Sequence, residues 1–300
     1  LLKIAFHPCY EHPLKKGHRF PMEKYDLLPK QLLHEGTCTV DNFFEPKIVA
    51  ETDVLRVHTE EYFFNLRALN LPKSEVRAIG FPLSETLVNR ELIITQGSID
   101  ACKYAITNGI AMNIAGGTHH AFSNRGEAFC LLNDQAVAAA YLLHHKLAKK
   151  ILIVDLDVHQ GNGTAEIFKH NSKVFTFSMH GEKNYPFRKE ISDLDIALPN
   201  GTDDQSYLSV LKRTLPKLFK QEQPDFVFYL SGVDILVSDK LGKLSCSLAG
   251  CMERDRYVLE FFYANSIPVM CSMGGGYSPD IKTIIEAHAN TFRIANNLID

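Results

Sequence analysis

The chain has 300 residues, 45% of them hydrophobic, with a formal net charge of −3 and a pI near 6.5. That is ample for a sizeable core, in one large α/β domain or two small ones. The charge balance argues against a protein that coats nucleic acid or a membrane surface, and no apolar run is long enough to span a bilayer.

The first residues, LLKIAFHPCYEHPLKK, lack the charged lead, long apolar core and small-residue cleavage site of a secretion signal. A cytoplasmic enzyme is expected, unless these residues were trimmed from a longer chain. Strand-like runs then alternate with helix-like segments to the end, with no repeat, low-complexity tract or linker, so residues 1–300 read as a single domain. In chain order the apolar pattern predicts strands over 2–8, 76–82 (VRAIGFP), 109–117, 149–157, 173–180, 224–232 and 266–276. Helices are predicted over 91–107, 133–148, 204–221, 249–265 and 279–298. Asn133 and Asp134 are plausible caps of the second helix, and Asp203 or Asp204 of the third. Lys149 and Lys150 suit a helix end, and His144 and His145 a solvated face. Asp193 and Asp195, in ISDLDIALPNG, belong to a structural strand and turn. Seven cysteines, none in C-x-x-C spacing, read as reduced buried thiols.

Continuous apolar strands alternating with helices predict a mainly parallel sheet with helices on both faces. Ligands bind such sheets beyond the carboxyl ends of the strands. Polar and glycine-rich punctuation collects there: Gly116 to His120 after one strand, Asp155 to His159 after another, Ser178 to His180, Ser231 to Asp234, and Gly274 to Tyr277.

The strand ILIVDLDVHQGNG places Asp155, Asp157 and His159 at every second position, on one face about 6.6 Å apart. Burying two carboxylates there is costly unless a cation offsets them. Two readings are open, an Asp–His ion pair at the sheet rim or a divalent site of zinc type. Asp234, after another apolar strand, favours the second, because Asp157, His159 and Asp234 would leave a fourth metal position open. Asp155 is then spare, to orient a histidine or hold a monovalent cation. His119 and His120, behind a Gly-Gly turn, suit general acid–base chemistry, or backbone bonding in a loop. Tyr277 after three glycines could offer a phenol to a developing oxyanion, although glycine runs also bind phosphate.

GGTHHAF, DLDVHQGNGT, SGVD and GGGY, in this order and spacing, resemble the zinc-dependent histone deacetylase family, of arginase/deacetylase fold. QGNG, DILVSDKLGKLSCSLAG and GHRFPMEKY resemble its class IV branch and bacterial histone deacetylase-like members. The resemblance implies an eight-stranded sheet and one zinc ion held by Asp157, His159 and Asp234. It implies that His119 bonds Asp155, that His120 lies nearest the attacking water, and that Tyr277 meets the substrate carbonyl. Asn162 stands where some relatives carry an acidic partner for the second histidine, so His120 should be the more readily neutral of the pair. Potassium is implied beside Asp155, Asp157, His159, Ser178 and the Met179 carbonyl. Phe129 is the implied wall of an acyl-lysine channel, with Tyr185 opposite it and Cys130 toward the inner pocket. Gly117 and Gly275 let backbone approach the ligand, and Arg19 would line the cavity behind the zinc. The acidic rim residue of some relatives has no clear counterpart, Glu85 being the candidate, and Asp239 is expected to bond loop backbone.

The implied reaction is hydrolysis of a linear amide, removing an acetyl or longer acyl group from lysine of a protein or peptide. Small acetylated amines such as polyamines, and long fatty acyl chains, are the alternatives. Arginase-like two-metal hydrolysis would need more metal-facing carboxylates than Asp155 supplies.

Overall fold

In the computed structural model, which describes residues 1–299, eight strands form one sheet. They are β1 (Lys3–Ala5), β2 (Phe43–Phe44), β3 (Ile110–Asn113), β4 (Ile151–Asp155), β5 (Val174–Gly181), β6 (Leu194–Leu198), β7 (Phe226–Leu230) and β8 (Val269–Ser272). Their order is β2-β1-β3-β8-β7-β4-β5-β6, and every pairing is parallel. All residues of β3, β4, β7 and β8 are buried, which requires cover on both faces. The cover comes from α1 (Lys24–His34), α2 (Glu51–Val54), α3 (Glu60–Arg67), α4 (Lys73–Ile79), α5 (Glu85–Asn108), α6 (Asp134–His144), α7 (Asn162–Phe168), α8 (Asp204–Glu222), α9 (Leu248–Ala264) and α10 (Ile281–Ile299). This is the eight-stranded sheet with helices on both faces that the sequence predicts, and it is wholly parallel. No helix among the described residues is long and apolar enough to cross a membrane.

The expected strand over 76–82 is instead helix α4 and the turn after it. A short apolar run fits either period, and the flanks decide. Pro72 precedes the helix, and Gly80 ends it at φ 84°, the left-handed conformation glycine takes readily. The edge strand β2 has two residues, too few for any periodic signal. Helix α6 ends at His144, so Lys149 and Lys150 lie beyond it, their backbone N–H groups donating to the Asp225 carboxylate. Asn133 and Asp203 cap α6 and α8 as expected. No disulfide joins any of the seven cysteines, and all but Cys9 are buried.

Strands β3, β8, β7 and β4 are consecutive across the sheet. Their carboxyl ends carry Gly116–His120, Gly274–Tyr277, Asp234 and Asp155–His159. Residues more than a hundred positions apart are thereby delivered to one place.

Candidate active site

The loop after β3 turns through Gly116 and Gly117 at φ 81° and 74°, where a side chain would be strained. A Cβ on Gly117 would also lie 3.0 Å from the Gly274 backbone, so the two glycine loops meet there. Asp134 holds this loop: its Oδ1 accepts the Thr118 N–H at 2.9 Å and the Thr118 hydroxyl at 2.8 Å. His119 and His120 follow, with ring centres 4.1 Å apart. Nδ1 of His119 lies 2.6 Å from Oδ2 of Asp155, and Nδ1 of His120 lies 2.6 Å from Oδ1 of Asn162. One imidazole thus faces a carboxylate and its neighbour a neutral amide.

One donor atom each from Asp157, His159 and Asp234 lies within 4.8 Å of the others, and all three residues are buried. Nδ1 of His159 is 3.0 Å from Asp157 and 3.1 Å from Asp234. Backbone N–H groups of Val158 and Gly275 donate to the outer sides of the carboxylates, each at 2.9 Å. Below them Arg254, fully buried on α9, donates to the carbonyls of Leu156, Ser231 and Gly232 and so ties together the ends of β4 and β7. The run ERDR looks in sequence like a solvated helix face, and nothing local marks Arg254 as buried.

The GGGY segment is held residue by residue. Buried Lys24 donates to the Gly274 carbonyl at 3.0 Å, the Val233 N–H to that of Gly275 at 2.8 Å, and the Tyr277 N–H to Asp239 at 2.6 Å. Asp239 also accepts the N–H groups of Leu241 and Gly242, the loop role expected of it. The Tyr277 ring then sits 6.4 Å from that of His159 and 6.2 Å from that of Phe129.

The electrostatics suit a cation held by these three residues. Against the burial that would raise it, His119 and His159 hold Asp157 well below the usual carboxylate range. Burial and the charge of Asp157 push Asp234 up to about 7. Against burial, bonds to Asp157 and Asp234 push His159 up to about 10. Carboxylates crowded and buried in this way suit a divalent cation between them. Burial and the neighbouring histidines lower His120 well below its ordinary value, whereas Asp155 and Asp157 overcome burial and raise His119.

A cavity of about 370 Å³ opens onto these groups. A model described as the histone deacetylase domain matches residues 18–292. The chain belongs to the histone deacetylase family. It is 42% identical to an uncharacterized protein of Picosynechococcus sp., over 98% of each chain. It is 30% identical to histone deacetylase 2 of Arabidopsis thaliana, covering 91% of this chain and 73% of that one. The crystal structure of an HDAC homolog complexed with SAHA superposes with a TM-score of 0.84 at 25% identity, covering 99% of this chain and 84% of the other. Family and fold together support a hydrolase.

Within this deacetylase domain the cavity is lined by Gly117, Phe129, Cys130, Tyr185, Gly275 and Tyr277. Tyr185 packs edge-on to His120 at 5.0 Å, its hydroxyl donating to Glu127 at 2.5 Å. Arg19 lines the cavity as expected, but not from behind the Asp157–His159–Asp234 group. It is exposed, with its guanidinium 4.9 Å from the centre of the Phe129 ring, which makes it a mouth residue. The buried arginine on the cavity is Arg90, beside Tyr25 and Ile94, paired with Glu91 and donating to the Tyr10 carbonyl at 2.7 Å. Adjacent charges in NRELI gave no sign of burial. Glu85 is exposed at the start of α5 and is not among the lining residues. Ser178 lies in register with Asp155, and Met179 is buried.

Proposed function

We propose that this chain removes acyl groups from the ε-amine of lysine by hydrolysis, with zinc held by Asp157, His159 and Asp234. The observation that carries the reading is that buried donor cluster beneath two histidines with different partners and one phenol, all on one cavity. Bound there, zinc would supply Lewis-acid polarisation of the acyl carbonyl and of water.

The chain's own residues account for the proton traffic. With Nδ1–H of His120 donating to Asn162, Nε2 keeps a lone pair and accepts the proton of the attacking water. Asp155 stabilises His119 as imidazolium, which gives its proton to the departing lysine amine. Burial and the charges of Asp234 and Asp157 push the Tyr277 phenol well above its ordinary value, so it stays an O–H donor for the carbonyl oxygen as charge develops. Phe129 and Tyr185 flank the lysine stem. The reading also keeps potassium beside Asp155, Asp157, His159, Ser178 and the Met179 carbonyl.

Tyr277→Phe tests the reading. Hydrolysis of an acetyl-lysine peptide should fall about 10²-fold or more, as when an oxyanion donor is removed, with metal content kept. A wild-type rate would remove Tyr277 from the reaction.

A further inference from the structure

The mouth of the cavity carries a charge of its own. Its lining includes exposed Arg19, Lys183 and Lys243, together with Phe187, which is 93% exposed. The one carboxylate among the lining residues is Asp157, which belongs to the donor cluster. Arg19, Lys183 and Lys243 form no salt bridge among the described residues. The chain as a whole is net negative, so this is a local reversal of sign.

These cations are arranged rather than scattered. Nζ of Lys243 donates to the Lys183 carbonyl at 3.0 Å, which joins the loops after β5 and β7. The Arg19 guanidinium sits over the ring of Phe129, a wall of the cavity, with its outer donors free. Glu127, two residues before Phe129, is already taken by the Tyr185 hydroxyl and by Arg125. A ligand that enters here meets three cations without salt bridges and one exposed aromatic face.

Resting on the acyl-lysine reading above, we propose that Arg19, Lys183 and Lys243 select acyl-lysines in an acidic context, gripping Asp or Glu side chains that flank the acyl-lysine. The same cations disfavour polyamines, whose further ammonium groups they would repel. Phe187 offers apolar contact to a neighbouring substrate residue.

The test measures affinity and turnover separately. Three fluorescent acetyl-lysine peptides carry Glu, Gln or Lys at the flanking positions, and anisotropy gives their Kd at low and high salt. The Glu peptide should bind about fivefold more tightly than the Gln peptide, the Lys peptide more weakly, and the spread should shrink at high salt. Arg19→Gln and the pair Lys183→Gln, Lys243→Gln should each narrow it, with melting temperatures reporting folding. Equal affinities, or a spread those variants leave intact, would overturn the proposal. Displacement of the Glu peptide by an equal concentration of single-stranded oligonucleotide would overturn it in favour of a nucleic-acid surface. Hydrolysis of the Gln peptide, followed in parallel, tests the underlying reading alone.

Discussion

Gly275→Ala isolates the geometry on which the donor cluster rests. Gly275 borders both acidic ligand candidates, and its N–H donates to Oδ2 of Asp157 at 2.9 Å. A Cβ there would lie 2.8 Å from that oxygen and nearer still to Oδ2 of Asp234, whereas ordinary contact begins at 3.4 Å. The Asp157 oxygen must therefore retreat by about 0.6 Å, the difference between those distances, and the Asp234 oxygen further. Neither has room to swing, because Asp157 is 2% exposed, Asp234 is fully buried, and each is bonded to His159 and a backbone N–H. Losing one charge-assisted bond costs about 1.5–3 kcal/mol, and a misplacement near 1 Å costs about 10²-fold in rate. We expect zinc affinity, measured by competition with a chromophoric chelator, to fall about 10²-fold. Hydrolysis of an acetyl-lysine peptide should fall in proportion, with a melting temperature within a few degrees of wild type. Wild-type affinity together with wild-type kcat/KM would refute the role given to this backbone.

Lys24→Met should keep bound metal but lower kcat about tenfold or more with little change in KM, since the Gly274 carbonyl loses its donor and the Tyr277 loop its anchor; an unchanged kcat would discard Lys24 as a positioning residue. His58 should add to acid sensitivity. Burial lowers it to about 4 in the folded state, where its Nε2 accepts the Asn133 N–H, while the unfolded chain titrates near 6.5. The unfolded state then binds about one more proton between pH 6.5 and 4, so stability is full above that window and about 3 kcal/mol is lost through it as pH falls. Denaturant titrations of His58→Gln should give a shallower slope in that window by about one proton; an equal slope would contradict this.

How much of this was legible in the sequence depended on the length of the signal. ILIV and FVFYL are continuous apolar runs, and both lie in buried strands with site acids at or just beyond their ends. VRAI was too short to separate helix from strand, and Phe43–Phe44 too short to register at all. Polar residues at strand ends announced the site, whereas buried Lys24, Arg90 and Arg254 resemble surface charges until the fold closes over them. Their partners are backbone carbonyls distant in sequence, such as Gly274 for Lys24, which no local pattern encodes. Arg19 was read from resemblance alone, and its exposed position on Phe129 needed the tertiary structure.

The central claim is that the Asp157–His159–Asp234 cluster makes this chain a metal-dependent hydrolase of acyl-lysine. Its most direct test is hydrolysis of an acetyl-lysine peptide by protein stripped with a chelator and titrated with zinc. The rate should vanish on stripping and return at a single equivalent of zinc, with no return in Asp234→Asn. Full hydrolysis by metal-free protein would contradict it.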